Sequence, residues 1–321
     1  MFAVYADSFH PASPLDGLKI GERPEPELLP GWTTITVKAA SINHHDVWTL
    51  RGVGITKDRL PMIIGCDAAG IDEDGNEVLV HSVISDPNWS GDETMDLGRS
   101  LLSERYQGTF AEKVAVPKAN VIPKPKSLSF SEAACLPTAW LTAYRMLFVQ
   151  SGLKPGDCVL IQGAGGGVST ALIILARAAG FRVYVTSRDE KKRQHALEIG
   201  AHEVFEPGAR LPQRADAVME TVGQATWSHT LKALRPGGTV VVSGATSGPA
   251  PTEDLARIFF LQMRIQGSTM GTRAELRQLA EFLDVTGKRP LIDSEIPMEN
   301  AREGLARIVD GDVFGKIVLT R

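Results

Sequence analysis

The sequence predicts an α/β protein in which a small β-barrel precedes a doubly wound parallel sheet. Three observations predict it. First, Cys158-Val159-Leu160-Ile161 is a short apolar run, as a parallel strand buried on both faces should be. A glycine turn, an apolar helical stripe and a second apolar run, Val183-Tyr184-Val185, follow it. Second, helical and strand-like segments keep alternating after residue 188, the order that builds a parallel sheet. Third, residues 1–122 carry several short strand-like runs separated by Gly and Pro turns, which favours a small barrel.

Bulk properties narrow the class. The chain has 321 residues, enough for two domains with a sizeable core. Hydrophobic residues make up 43% and charged residues 22%, a globular balance. A net charge of −4 gives no reason to expect a nucleic-acid or membrane partner. No segment resembles a signal peptide or a bilayer span. Cys66, Cys135 and Cys158 are too few and too scattered for a disulfide framework, so a reducing, cytoplasmic compartment is expected.

In chain order, Trp32–Ala39 is strand-like, rich in Thr and β-branched residues. Glu77–His81 is a second strand, behind an Asp-Gly-Asn turn, and Phe110–Val116 a third. Residues 85–107 are polar and read as a surface excursion. Ser129 or Ser131 is positioned to cap a helix over 131–150, which Pro137 interrupts. Val168, Leu172, Leu175, Ala176 and Ala179 form the stripe after the glycine turn, and Gly180 ends that helix. Helices are expected at 189–199, 226–234, 274–285 and 298–310, and strands at 216–219, 239–243, 264–269 and 316–320. Arg235-Pro236-Gly237-Gly238 reads as the turn between two of them.

Strand, glycine turn, helix, strand is the setting in which a glycine motif signals a dinucleotide. Gly165, Gly166, Gly167, Val168 and Ser169 are the candidate pyrophosphate contacts, because glycines admit the phosphates and the helix N-terminus attracts them. Ala164 and Ser169 stand where the usual motif has its first and last glycines, so Ser169 either packs closely or bonds a phosphate. An NAD site usually carries an acidic residue about 20 residues further on, to accept from the ribose 2′-hydroxyl. Ser187-Arg188 stands there instead, with Lys192 one turn into the next helix. This pattern suits the 2′-phosphate of NADP(H). Asp189 reads as a helix N-cap. Gly244, Ala245 and Thr246 follow a strand end, where cofactors sit in open α/β sheets.

The ordered set of motifs resembles the medium-chain dehydrogenase/reductase superfamily, in its zinc-independent, quinone-oxidoreductase-like branch. The resemblance rests on 41–46 (SINHHD), 61–70 (PMIIGCDAAG), 108–112 (GTFAE), 142–144 (TAY), the glycine loop, 234–238 (LRPGG), 267–271 (GSTMG) and 315–319 (GKIVL). It implies a chaperonin-10-like barrel carrying the catalytic groups over 1–122, a Rossmann domain binding NADP over 123–269, and a return to the catalytic domain over 270–321. It also implies an active site in the cleft between them and a homodimer joined through the Rossmann sheets near residues 264–269.

By the same resemblance, Asn43, Cys66 (followed by Asp67) and Thr138 stand where zinc-dependent relatives place their catalytic ligands, and residues 85–107 lack the four cysteines of a structural zinc lobe. One thiol, one amide and one hydroxyl make a poor zinc site, so no metal is expected. Without a Lewis acid, hydride transfer suits an acceptor that is already polarised, a quinone or an α,β-unsaturated carbonyl. Asn43 then either donates to that carbonyl or bonds local backbone. His44 matches a pyrophosphate contact, and Thr142 matches a residue beside the nicotinamide. His45 is either a proton relay or a structural histidine. Trp48 lines the substrate cleft or packs in the core. The competing readings are a zinc-type alcohol dehydrogenase and a non-enzymatic cofactor-binding protein.

Overall fold

A computed structural model describes residues 1–252 and 254–321. It contains two compact units, Met1–Leu141 with Met270–Arg321, and Thr142–Thr269. The first runs past residue 122 because the helix Phe130–Ala134 packs on barrel strands, against Trp32–Ser41, Ala69–Ile71 and Lys316–Thr320. Among the described residues no helix is long and apolar enough to cross a membrane.

The first unit is built on the strand Trp32–Ser41. Its first half pairs antiparallel with Lys113–Pro117 and its second half with Ala69–Ile71 and Lys316–Thr320. Glu77–Val80 and Val121–Pro123 extend one side, and Ile292–Pro297 lies parallel to the C-terminal strand. The hairpin Phe2–Ala6 with Leu18–Glu22 forms a second sheet with Met62–Ile63. Alternation along Trp32–Ser41 buries Ile35 and Val37, which join Leu50, Ile64, Phe110 and Leu319 in one core.

Two glycines explain the motifs at 61–70 and 108–112. Gly65 has φ +96°, and a Cβ there would stand 2.3 Å from the Phe110 ring. A Cβ on Gly108 would lie 2.4–2.5 Å from the carbonyl oxygens of Gly65, Ile63 and Ile64. The two segments therefore touch backbone to backbone, tied by Gly108 N–H to Ile63 O (2.8 Å), Thr109 N–H to Gly65 O (3.0 Å) and Phe110 N–H to Ile64 O (2.9 Å). This clamp fixes the next residues, Cys66 and Asp67.

The second unit is a six-stranded parallel sheet. Across it run Glu203–Phe205, Arg182–Thr186, Cys158–Gln162, Ala215–Glu220, Leu234–Val242 and Arg264–Gly267. Cys158–Gln162 is buried at every residue, as its apolar run predicts. The helix Gly167–Ala178 follows it, with residues 169–176 buried on more than the expected stripe. Gly180 adopts φ +79° just past its end.

Several expectations shift. Residues 234–238 extend the strand to Leu234–Val242 rather than forming a turn, with Leu234 paired to Ala215 across a bulge. Phe110–Val116 begins only at Lys113, because Thr109 and Phe110 are committed to the clamp. Ser129, not Ser131, caps Phe130–Ala134, in a reciprocal pairing with Glu132. The helix widens to π-type turns around Pro137, at Leu136–Trp140, and again at Arg145–Gln150. The Phe2–Glu22 hairpin and the strand Ile292–Pro297 were not expected.

Candidate active site

In the barrel unit, antiparallel register builds a polar cluster. Val318 pairs with Ser41, so Lys316 falls opposite Asn43. Its Nζ donates to Asn43 Oδ1 (2.6 Å) and to Ile42 O (2.7 Å), and lies 3.8 Å from Asp67 Oδ2. Asp67 Oδ2 accepts from Ser41 Oγ (2.7 Å) and Asn43 Nδ2 (2.8 Å), while its Oδ1 accepts from Thr138 Oγ1 (2.5 Å). Cys66 Sγ lies 3.3 Å from that same hydroxyl. Ser41, Asn43, Cys66, Asp67 and Lys316 are buried; Thr138 is half-exposed.

The expectation that Asn43 offers an N–H to an acceptor carbonyl does not survive this geometry. Its two amide hydrogens are directed inward, to Asp67 and to Ser41 O (3.2 Å), and its side-chain oxygen is held by Lys316. Of the two roles open to it, the structure has the local one. The donor set also does not suit zinc. Burial first, and then the Asp67 and Asp46 charges, push the Cys66 thiol well above its usual pKa. Asn43 and Asp67 are already engaged, and a resident ammonium stands beside them. Among the described residues no group of three His, Cys, Asp or Glu side chains is arranged to hold a metal ion.

The helix His44–Leu50 follows Asn43, whose N–H donates to Asp46 Oδ2 (2.7 Å). Asp46 is wholly buried, and its carboxyl is pushed up to about 7, chiefly by burial. His44 lies exposed on the first turn. His45 is half-buried, with Nε2 at 3.9 Å from Glu104 Oε1. Burial lowers its pKa, while the Glu104 and Asp67 charges and the Leu102 backbone work the other way. Trp48 is exposed, with the Arg51 guanidinium stacked 5.0 Å over its ring, so it is not a core residue. A cavity of about 300 Å³ elsewhere on the barrel, lined by Trp32, Tyr106 and Arg23 among others, contains none of these side chains.

In the sheet unit, the strand ends converge at residues 162–169, 186–188, 220–223 and 244–248. Gly163 and Gly165 take φ of +83° and +98°, and Gly166 begins the helix with no side-chain cap. A Cβ on Gly166 would meet nothing closer than Ser169 Oγ at 3.7 Å, so its backbone face is open. Ser169 takes the packing role of the two open to it: it is buried, and its hydroxyl donates to Gly166 O (2.9 Å), bracing the turn. These residues fit a dinucleotide pyrophosphate. Ser187 is buried at the next strand end and Arg188 is exposed beside it. Asp189 Oδ1 caps the following helix by accepting from Lys192 N–H (3.1 Å). Lys192 is half-buried on that helix, and Thr142 is buried in the same unit. Gly244–Thr246 lies against residues 221–223, with Thr246 N–H reaching Thr221 O (3.3 Å).

Sequence reasoning missed the buried network beneath these turns. The Glu220 carboxylate accepts from Val222 N–H (2.8 Å), Gly223 N–H (2.9 Å), Thr226 Oγ1 (2.9 Å) and Thr230 Oγ1 (2.6 Å). Gln162 donates to Thr230 Oγ1 (3.0 Å) and accepts from Thr186 Oγ1 (2.6 Å). Three strand ends are thus tied into one platform. Lys316 and Glu104 were missed as well; nothing local in the sequence marks any of these residues.

Residues 29–126 match the alcohol dehydrogenase GroES-like domain family, and residues 167–284 match the zinc-binding dehydrogenase family. A zinc-type alcohol dehydrogenase-like protein of Schizosaccharomyces pombe is 30% identical over 334 residues, covering 96% of each chain. The chain belongs to the medium-chain dehydrogenase/reductase superfamily. This dehydrogenase/reductase is also 30% identical to the quinone oxidoreductase of Mus musculus, over 89% of its own length and 88% of that protein's. A crystal structure described as an NAD-dependent alcohol dehydrogenase superposes with a TM-score of 0.91 at 32% identity, each chain covered in full. The chaperonin-10-like barrel and the Rossmann sheet are therefore those of the superfamily, and the protein is an oxidoreductase.

Proposed function

We propose that this dehydrogenase/reductase is a zinc-free, NADPH-dependent reductase of quinones or α,β-unsaturated carbonyl compounds. The observation that carries the reading is the Asn43–Asp67–Lys316–Thr138 cluster, in which hydrogen bonds and an ammonium stand where zinc-dependent relatives are expected to hold their ion. Bound NADPH supplies the hydride. Backbone at Gly165–Val168 cradles the pyrophosphate, Ser169 braces that turn, and the Glu220 network keeps the strand ends from moving. Ser187 and Arg188 receive the 2′-phosphate, with Lys192 nearby, and the adjacent Asp189 carboxylate is engaged in capping the following helix. Thr142 and the 244–246 turn border the nicotinamide. Trp48 offers an apolar face to the acceptor, and His45 is the proton relay that completes reduction.

Supporting the assignment to NADPH is the Ser187-Arg188 pair; the solved alcohol dehydrogenase is described as NAD-dependent, so the preference belongs to this chain's own residues. We place the protein in the cytoplasm, where three free, buried cysteines are in keeping with a reducing compartment. We also assign it as a homodimer. Arg264–Gly267 is an exposed edge strand, and Leu255, Phe259 and Phe260 stand 68%, 68% and 80% exposed nearby in the chain. Phe260→Glu should give monomers in analytical ultracentrifugation, and an unchanged mass would refute that interface.

The test of function is an absorbance screen of NADPH and NADH oxidation across quinones, enones, aldehydes and enoyl thioesters. The reading predicts turnover with quinones or enones and a clear NADPH preference. Turnover confined to aldehydes, or a preference for NADH, would overturn it.

A further inference from the structure

We propose that Lys316 is the positioning residue of the barrel cluster: its ammonium balances the Asp67 carboxylate and thereby sets the half-exposed Thr138 hydroxyl as a hydrogen-bond acceptor toward the incoming substrate. The inference rests on reading this cluster as the acceptor side of the site.

The argument is a count of donors and acceptors. Asp67 is fully buried and accepts side-chain hydrogen bonds from Ser41, Asn43 and Thr138. Three donors aimed at one carboxyl group suit its ionised form, which is acceptor-only. A buried carboxylate needs a counter-charge, and the Lys316 ammonium lies 3.8 Å away at 2% exposure. Two of its own hydrogens go to Asn43 Oδ1 and Ile42 O. The first of these bonds settles which end of the Asn43 amide faces Asp67: Oδ1 is held by the ammonium, so Nδ2 turns to the carboxylate. With Asp67 ionised, the Thr138 O–H is spent inward. With the Thr138 hydrogen committed to Asp67, the Cys66 thiol, 3.3 Å away, is the donor to one lone pair of Thr138 Oγ1. What Thr138 presents outward is its remaining lone pair. The substrate group that meets it is therefore a donor, such as a hydroxyl on the acceptor molecule, while the carbonyl to be polarised must be bonded elsewhere.

Removing the ammonium reverses this polarity. A buried carboxylate without its partner takes up a proton, and its new O–H competes with that of Thr138. The Thr138 hydroxyl is then released to donate outward.

The test needs no substrate, so failure of the reductase reading would leave it intact. Infrared difference spectra are recorded at neutral pH for full-length protein in an Asp46→Asn background, because the Asp46 carboxyl, pushed up to about 7, would itself absorb there: the background alone, and with Lys316→Met, Lys316→Arg or Asp67→Asn/Lys316→Met added. The expected result is a protonated-carboxyl C=O band on adding Lys316→Met, absent from the background and with Lys316→Arg, and lost with Asp67→Asn/Lys316→Met. A folded Lys316→Met without the band would overturn the proposal. Thermal unfolding covers the case in which Lys316→Met is too unstable to study. If the pair is charge-balanced, Asp67→Asn/Lys316→Met has a higher Tm than Lys316→Met alone. A double variant no more stable than the single one, or one that also fails to fold, would overturn the proposal. Once an acceptor is identified, Lys316→Met should raise its KM at least tenfold for hydroxyl-bearing acceptors and change KM little for those without a hydroxyl.

Discussion

Replacing Asp46 with asparagine should flatten the pH dependence of stability. Asp46 lies at 0% exposure on the buried side of the helix that also carries His44, His45 and Trp48. Its carboxyl is pushed up to about 7 from an ordinary 3.8, first by burial and also by the Asp67 charge, against the opposing Asn43 N–H and Lys316. In the unfolded chain the group regains its ordinary value. Between the two values the folded protein holds more protons than the unfolded one, so stability falls as pH rises through that window and levels off above about 7. One pKa unit is worth about 1.4 kcal/mol. About two of the three units lie above pH 5, so Asp46 alone costs about 3 kcal/mol between pH 5 and pH 8. Asparagine keeps an oxygen to accept from Asn43 N–H and has no charge to bury. Urea denaturation followed by tryptophan fluorescence at the two pH values reads the effect. The wild type should lose about 3 kcal/mol more than Asp46→Asn across that interval. Parallel losses in the two proteins would refute the reasoning, because the burial cost would then lie in other groups.

Three further substitutions test the remaining parts. Arg188→Ala removes a charge-assisted contact worth about 1.5–3 kcal/mol, so the KM for NADPH should rise about 10–100-fold while that for NADH changes less than about threefold; an equal rise for both would sink the 2′-phosphate assignment. Glu220→Gln places N–H donors against four donors already there, and the Kd for NADPH measured by calorimetry should weaken at least about tenfold, the loss of one such bond. Gly108→Ala forces a methyl against three carbonyl oxygens and should cost about 3 kcal/mol in urea unfolding, the upper end for overpacking because backbone cannot step aside. A neutral result would mean that residues 63–65 and 108 are not clamped.

What could be read from the sequence depended on how local its cause was. Cys158–Gln162 was legible because a strand buried on both faces has to be apolar throughout. Asp189 was legible as a cap because capping is settled within three residues. Ile292–Pro297 was not legible, since Asp293, Ser294 and Glu295 lie on the partly exposed outer edge of the sheet and carry no apolar alternation. Residues 235–238 looked like a turn, yet they form a bulge within one strand, held by the pairing of Leu234 with Ala215 on one side and of Thr239 with Ala217 on the other. In the site, the glycine turn and Ser187-Arg188 announce themselves through residue type. Lys316 does not: its meaning comes from a register that sets it against Asn43, 273 residues away. Glu220 likewise looks like the last residue of an ordinary strand until the donors from residues 222–230 converge on it. The inward turn of Asn43 follows from Lys316, so a reading without Lys316 left both an outward and a local role open for that amide.

The central claim is that hydride transfer here proceeds without zinc. The most direct measurement is elemental analysis of the purified protein together with NADPH-dependent turnover of a quinone, before and after exhaustive dialysis against a chelator. The account predicts far less than one zinc per chain and an unchanged kcat after dialysis. One zinc per chain, removed together with the activity and restored with it on adding zinc back, would contradict it.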